Sequence, residues 1–241
     1  MLKRILFGDY SEVGLSNRPS REMWLKKTLA EIKKGESILD AGAGQLKYKN
    51  YCKHLEYTSQ DFAQYDGKGD GNGIQMETWD NSKLDIISDI ASIPIEDNSY
   101  DNILCTEVIE HIPHPIDALK EFSRILKPGG KLILTAPFCS LTHFAPYHFY
   151  SGFNSYFFEK YLDDFYFEIK QMTPNGNYFE YLAQEVRYSF DLANKDSGLK
   201  SSLIQKIAQR IILSFLKKAS LKNQSSEQLL NYGFHILAVR K

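Results

Sequence analysis

The 241-residue sequence has few cysteines, no excess of charge of either sign and no long apolar run. Its cysteines, Cys52, Cys105 and Cys139, form no CxxC pair and have no histidine at metal-ligand spacing. Neither a disulfide-rich secreted scaffold nor a zinc motif is therefore expected, and no metal site is predicted. Cys105 lies in an apolar run, where we expect a small buried side chain.

The charge balance argues against a dedicated nucleic-acid binder, because 29 Lys and Arg residues are matched by 30 Asp and Glu residues. No apolar stretch approaches the roughly 18 residues that span a bilayer. The first residues contain Lys3 and Arg4 but only a three-residue apolar stretch, which is too short for a signal peptide. These features together predict a cytoplasmic protein.

Short apolar runs alternate with helical patterns along the chain, which indicates βαβ units and a doubly wound, mainly parallel sheet. We expect a single α/β domain over 1–241, with a helical insertion at about 178–230. A glycine-rich stretch at 65–73, YDGKGDGNG, predicts a surface loop. The predicted strands are 37–40, 55–60, 84–88, 101–106, 131–136 (entered through a KPGG turn), 165–172 and 233–240. The predicted helices are 21–33 (with Met23 among its apolar residues), 116–126, 178–192 and 203–218.

Two glycines, Gly42 and Gly44, directly follow the first predicted strand. Glycine there lets the backbone turn sharply and approach a ligand. A plain strand-to-helix turn is the alternative. The dinucleotide fingerprint needs a third glycine where Lys47 stands. Asp61 and Asp89 end the next two strands, and carboxyl ends of parallel strands form the crevice where open α/β sheets bind ligands.

The sequence resembles the class I S-adenosylmethionine-dependent methyltransferases from about residue 37 to 138. LDAGAG is similar to the first motif of that superfamily, and SDIASIPIEDNSYDNILCTEVIEHI and LKPGGKLILTAPF are similar to later motifs. The resemblance implies S-adenosyl-L-methionine as cofactor. It also implies a seven-stranded sheet with an antiparallel last strand, which GFHILAVRK fits.

The resemblance also implies a role for each cofactor residue. Asp40 would support the glycine loop and the methionine ammonium, and Asp61 would hold the ribose hydroxyls. The remaining candidates would approach the methionine part (Gly42, Gly44), the adenine ring (Asp89, Ile90) or the pocket wall (Glu107).

Two further segments, LTHFAPYHFYSGF and TPNGNYFEYLAQE, resemble a narrower group of bacterial methyltransferases encoded with surface-polysaccharide biosynthesis genes. This resemblance implies a small-molecule or glycan-precursor acceptor, with a sugar hydroxyl as the methylated group. The same reading favours a methyltransferase over two alternatives, an NAD(P)-dependent oxidoreductase and a cofactor-binding subunit that has lost catalysis.

The loop after the fifth strand carries His143, Tyr147 and His148. A hydroxyl acceptor benefits from a general base, and histidine suits that role near neutral pH. We predict His148 or His143 as the base, with Tyr147 shaping the acceptor pocket. The alternative is a loop packed by aromatic rings. The Glu110–His111 pair is a rival base, although a structural role at a helix start is favoured for it.

Two further features of the sequence each allow a functional and a structural interpretation. Asn175 and Asn177 in PNGN either donate to acceptor hydroxyls or simply form a turn. The predicted helix at 203–218 has an apolar stripe and lies in a stretch with six basic and no acidic residues. Such a helix can contact an anionic membrane surface, but covering the fold or a homodimer partner is the favoured interpretation.

Overall fold

The computed structural model describes residues 12–241. The expectation about a signal peptide concerns residues 1–11 and lies outside that range. The chain divides into two compact units. One comprises residues 23–173 and 233–241, and the other comprises the described residues up to 22 together with 174–232. The expectation of a single domain stays a prediction.

The described elements alternate in the order expected for an α/β chain. The strands are β1 Ser37–Ala41, β2 Glu56–Asp61, β3 Ile86–Ile87, β4 Tyr100–Thr106, β5 Leu126–Pro137, β6 Phe167–Asn175 and β7 Gly233–Arg240. The helices are α1 Asn17–Ala30, α2 Pro115–Ile125, α3 Ser155–Asp164, α4 Tyr178–Ser197 and α5 Leu203–Leu221. Short 3₁₀ helices lie at Lys49–Tyr51, Ile109–His111 and Ser226–Gln228.

The seven strands form one sheet in the order β3-β2-β1-β4-β5-β7-β6. β1 pairs in parallel with β2 and β4, and β4 pairs in parallel with β5. β7 runs antiparallel to β5 over seven residue pairs, from Lys131↔Val239 to Pro137↔Gly233. The predicted fold class, with its antiparallel last strand, is confirmed.

The sheet is buried on both faces because successive strand residues point to opposite sides. In β1, Ile38 packs in one cluster with Leu25 and Leu29 of α1. Its neighbour Leu39 packs in the other cluster, which holds Phe122 of α2 and Phe158 of α3. The runs of apolar residues in the central strands are therefore explained by two-sided burial.

The first helix begins earlier than predicted, at Asn17 instead of residue 21. Pro19 lies within its first turn, where the missing N–H breaks no helical hydrogen bond. Met23 does not belong to the apolar face as expected, because its side chain is 72% exposed whereas Leu25 and Leu29 are fully buried. The helix ends at Ala30, three residues before the predicted end.

The KPGG segment does not form a turn before β5, as was predicted, but lies inside the strand. The pairing with β4 shifts there, from Tyr100↔Leu126 to Asn102↔Lys131, so the segment is a bulge. β3 is shorter than predicted because only Ile86 and Ile87 pair with β2. The other predicted ends agree or differ by at most five residues.

In the other unit, α4 and α5 occupy the predicted helical insertion. Asn177 accepts backbone N–H bonds from Phe179 and Glu180 and thereby caps α4. Ser202 and Gln205 form a capping box at the start of α5. Among the described residues, no helix combines the length and apolar character needed to cross a bilayer.

Candidate functional site

The glycine loop lies directly after β1, in the middle of the sheet. Gly42 and Gly44 have φ values of +79° and +50°. The backbone N–H groups of Gly42 and Ala43 both donate to the Gln60 carbonyl at the end of β2. A Cβ on Gly42 would lie 2.5 Å from both Val108 methyl groups, and one on Gly44 would lie 2.6 Å from Trp79. Only glycine fits both positions without displacing a neighbour.

Asp61 ends β2 and is 8% exposed. One carboxylate oxygen accepts from the Gly44 N–H at 2.9 Å, and the other accepts from the Ala63 N–H at 3.0 Å. Each oxygen keeps a further lone-pair site, so the side chain can still accept from two hydroxyl groups. The structure therefore brings the predicted ribose acid against the predicted glycine loop.

Asp40 is the next-to-last residue of β1 and is 2% exposed. Its Oδ2 accepts from the Tyr57 hydroxyl at 2.6 Å. The pKa of Asp40 is raised from 3.8 to about 7, mainly by burial; the Tyr57 hydrogen bond lowers this pKa and the Asp61 charge raises it. A nearby positive charge would lower this pKa and ionise the carboxyl group. The site therefore favours the binding of a cation.

Asp89 and Ile90 follow the short strand β3. Asp89 is exposed, and its Oδ1 accepts from the Ala91 N–H at 2.9 Å, which closes a turn. Ile90 is 7% exposed and belongs to the sheet core. An exposed carboxylate beside a buried aliphatic side chain suits the amino group and the face of a purine.

Glu107 directly follows β4 and has a φ of +54°. Its N–H donates to the Thr135 carbonyl, and its Oε1 accepts from the Thr135 hydroxyl at 2.9 Å. A non-glycine residue with positive φ is uncommon and costs about 1–3 kcal/mol, so such positions concentrate at functional sites. The neighbouring Val108 lies against Gly42.

The loop after β5 contains the three predicted catalytic residues. His143 and His148 are half-buried with ring centroids 4.7 Å apart. His148 Nε2 lies 3.2 Å from the Ser140 hydroxyl, and burial and His143 both lower the pKa of His148. The Tyr147 ring meets Phe62 edge-on at 4.9 Å. Because Phe62 follows Asp61, the structure brings this loop next to the end of β2.

The glycine-rich segment, predicted only as a surface loop, pairs with the loop after β5. The Ile74 N–H donates to the Thr142 carbonyl, and the Phe144 N–H donates to the Ile74 carbonyl. Beneath these bonds, Tyr65, Trp79 and Phe144 form an aromatic cluster with centroids 4.7–5.4 Å apart. Sequence reasoning missed this cluster, although two large aromatic residues flanking a glycine-rich stretch could have indicated an anchored loop.

Glu110 and His111 lie in a 3₁₀ turn after β4, not at the start of α2. The Glu110 side chain is 1% exposed, and its backbone carbonyl accepts from the N–H groups of Phe149 and Tyr150. His111 Nδ1 donates to the Tyr147 carbonyl at 2.6 Å. Burial, followed by His143, lowers the pKa of His111 to about 3. This pair holds the loop after β5 in place.

Asn175 and Asn177 have structural partners in the other unit. Asn175 is 3% exposed and donates to Asn17, and Asn177 caps α4 while donating to the Ser220 hydroxyl. Of the two readings of PNGN, the structure supports the turn and cap.

The residues around the glycine loop fit S-adenosyl-L-methionine. They provide a backbone loop that a Cβ would obstruct, together with carboxylate acceptors at the ends of β2 and β4 and just beyond β3. Acceptors suit the hydroxyls, the amino groups and the positive charge of this cofactor.

Comparison with known proteins agrees with this assignment. Residues 39–134 match the family model described as a methyltransferase domain. A 64-residue segment is 31% identical to a ubiquinone biosynthesis O-methyltransferase of Xanthomonas oryzae pv. oryzae, covering 27% of this chain and 26% of that protein. A 123-residue segment is 27% identical to a demethylmenaquinone methyltransferase of Staphylococcus haemolyticus, covering 46% and 48%. The chain spans less than half the length of these curated relatives.

A solved S-adenosylmethionine-dependent methyltransferase from Archaeoglobus fulgidus has a similar fold, with a TM-score of 0.53, 13% sequence identity and coverage of 99% of this chain and 98% of that one. That likeness concerns the fold alone. Residues 39–134 are therefore similar to a methyltransferase domain, and the residues around Gly42 and Gly44 fit S-adenosyl-L-methionine as the methyl donor.

Proposed function

We propose that this protein transfers a methyl group from S-adenosyl-L-methionine to a hydroxyl group of a small-molecule acceptor. The observation that carries the proposal is the position of Asp61, which binds the glycine loop through Gly44 and is followed by Phe62, the ring that contacts the histidine-bearing loop. The glycine loop and the end of β2 (the cofactor edge) are thus adjacent to the loop after β5 (the acceptor edge). Fold alone would not support this function, since one fold hosts many activities.

In this proposal the cofactor is held by the residues that the family resemblance indicates. Asp61 accepts from the ribose hydroxyls, and Asp89 with Ile90 accommodates the adenine. Asp40 supports the methionine ammonium behind Gly42 and Gly44, and Glu107 lines the pocket. The bound cofactor supplies an electrophilic methyl group, and the chain's contribution is to hold the acceptor close to it and in line.

We place the general base in the loop after β5. His148 is preferred over His143 because it lies in the chain between Tyr147 and Tyr150, in a stretch that can point several rings into one pocket. His148 would take the hydroxyl proton as the acceptor oxygen forms its new bond to carbon. Tyr147, held by Phe62, would form one wall of the acceptor pocket.

For the acceptor we propose a sugar hydroxyl of a surface-polysaccharide precursor. The support is the aromatic character of the loop, since aromatic rings pack on the apolar faces of sugars, and the resemblance of LTHFAPYHFYSGF to that group of enzymes. The names of the curated relatives offer a second acceptor class, quinone precursors.

Two measurements test the proposal in sequence. Calorimetry should show micromolar binding of S-adenosylmethionine and poor binding of NADH, and Asp61→Ala should weaken the former by about 1.5–3 kcal/mol. Tight NADH binding without S-adenosylmethionine binding would revive the oxidoreductase alternative. A screen of nucleotide-linked sugars, phosphorylated sugars and demethylmenaquinol, read as S-adenosylhomocysteine release, should then give turnover with a sugar. Turnover only with the quinol would assign the acceptor to the quinone precursors. Cofactor binding without any turnover would favour a cofactor-binding subunit that has lost catalysis.

For α5 we propose contact with an anionic membrane surface. Leu203, Ile204, Ile211 and Phe215 are 53–79% exposed, and the stretch from 197 to 226 carries six basic and no acidic side chains. Apolar area plus positive charge is the combination that holds interfacial helices. The protein should co-sediment with phosphatidylglycerol vesicles at low salt and not with phosphatidylcholine vesicles. A stable homodimer by light scattering, without vesicle binding, would assign this face to a second copy instead.

A further inference from the structure

We propose that Glu110, His111 and His143 bind a divalent transition-metal ion of the Zn²⁺ type, through one carboxylate oxygen and two imidazole nitrogens. The ligand atoms of these three side chains all lie within 4.8 Å of one another. His111 Nε2 and Glu110 Oε1 are 3.7 Å apart. Ligand atoms on a tetrahedral zinc ion are about 3.4 Å apart, given bonds of about 2.0–2.1 Å, so small side-chain rotations would complete the site.

The two histidines are already oriented as metal ligands. His111 Nδ1 donates to the Tyr147 carbonyl and His143 Nδ1 donates to the Leu141 carbonyl, at 2.6 and 2.8 Å. A carbonyl can only accept, so each ring carries its proton on Nδ1 and its Nε2 lone pair is available in the neutral form. This arrangement, with the distal nitrogen bonded to a backbone carbonyl, is typical of metal-ligating histidines.

The His111 ring has one buried nitrogen that lacks a hydrogen-bond partner among the described residues. Its Nε2 is buried and forms no hydrogen bond within residues 12–241. A buried polar nitrogen without a partner destabilises the folded protein. The side chain of Glu110, which is 1% exposed, places a carboxylate oxygen 3.7 Å from this nitrogen.

Two histidines and one carboxylate leave positions on the ion for other ligands. Sites of this composition bind zinc in hydrolases and are catalytic sites rather than closed structural ones. The group is two residues from Val108, which lies against Gly42, so it lies at the cofactor edge. If the proposed function holds, an acceptor hydroxyl oxygen would take an open position, where the ion lowers its pKa.

This proposal reverses the expectation drawn from spacing alone. Glu110 and His111 are adjacent, but His143 is more than 30 residues away along the chain. The Glu110 carbonyl accepts from the Phe149 and Tyr150 N–H groups and His111 Nδ1 donates to the Tyr147 carbonyl, and these bonds bring the loop that carries His143 to the pair. Its ring centroid lies 4.6 Å from that of His111.

The test is metal binding by the whole chain without cofactor or acceptor. Protein stripped with a chelator should bind one equivalent of Zn²⁺ in calorimetry, and Co²⁺ should give the visible absorption of a four- or five-coordinate ion. His143→Ala and Glu110→Gln should each weaken Zn²⁺ binding at least tenfold. The matched control is His114→Ala, which removes an exposed imidazole outside the group.

His143→Ala changes a half-buried loop residue, so this variant is expected to fold even if a His111 variant does not. Thermal unfolding of the variant is the measurement that checks this. Absence of stoichiometric Zn²⁺ binding would overturn the proposal. So would binding that His143→Ala and Glu110→Gln leave unchanged. Because S-adenosylmethionine affinity is measured separately, failure of the metal site and failure of the proposed methyl transfer are distinguishable.

Discussion

The raised pKa of Asp40 predicts that S-adenosylmethionine affinity depends on pH below neutrality. With a pKa of about 7, the free protein holds Asp40 largely protonated at pH 6 and largely ionised at pH 8. The proposed ligand of this carboxylate is the methionine ammonium, which binds the ionised form. Affinity should therefore fall about tenfold for each pH unit below 7.

Two variants separate this effect from general acid sensitivity. Tyr57→Phe removes the hydroxyl that donates to Asp40 Oδ2 at 2.6 Å, so it should raise the pKa of Asp40 and move the inflection to higher pH. Asp40→Asn should bind the cofactor weakly at every pH, with no inflection. Calorimetry from pH 5.5 to 8.5 provides the measurement. An affinity that is level across this range in the parent protein would refute the reasoning.

The same group makes the stability of the free protein depend on pH. The folded protein holds the Asp40 proton more tightly than the unfolded chain does, so the free energy of unfolding should fall as pH rises from about 4 to 7 and then stay level. The rise in pKa from 3.8 to about 7 corresponds to at most about 4 kcal/mol. Asp40→Asn should abolish this slope in urea titrations. A parent protein whose stability increases between pH 5 and 7 would contradict the assignment.

Three further predictions concern the base, the glycine loop and the core. His148→Ala should lower the methyl-transfer rate by roughly 10²–10⁴-fold at unchanged cofactor affinity, and a variant that keeps more than about a third of the activity would refute a base role. Gly42→Ala should lower the free energy of unfolding, measured with urea, more than Gly129→Ala does, because both glycines have φ near +80° but only a Cβ at position 42 would meet Val108. Equal losses of about 1–2 kcal/mol would reflect backbone strain alone and contradict the close contact. Phe122→Ala should cost about 3–5 kcal/mol and the exposed Tyr156→Ala under about 0.5, as measured by chemical unfolding, and similar losses would contradict the described core.

The parts of the fold that depend on local signals could be predicted from the sequence. β1 was predicted to within one residue because the apolar pair Ile38 and Leu39 is soon followed by Gly42 and Gly44, and β7 begins and ends where predicted. KPGG was misassigned because a Pro-Gly-Gly sequence favours a turn. In the structure, β5 pairs with β4 on both sides of this segment, so the segment forms a bulge within the strand. α1 begins before the predicted start because the first turn of a helix tolerates Pro19.

The candidate site was predictable only where each residue follows a strand. Topology brings the ends of β1, β2 and β4 together whatever the loops do, so Asp40, Asp61 and Glu107 could be placed from the sequence. The position of Trp79 over Gly44 could not, because it depends on how a long irregular segment folds back. His143 and His111 approach each other for the same reason.

One short segment connects the cofactor edge to the proposed acceptor edge. Glu107 bonds to Thr135 of β5, Val108 lies against Gly42, and the Glu110 carbonyl and the His111 ring hold the loop that carries His148. Within this segment Glu107 has a positive φ, and Ile109 and Glu110 are buried, so the segment has little freedom to adjust. A change in its backbone would displace both edges together. The segment after β4 thus sets the relative position of methyl donor and acceptor in the proposed reaction, where in-line geometry supplies much of the rate.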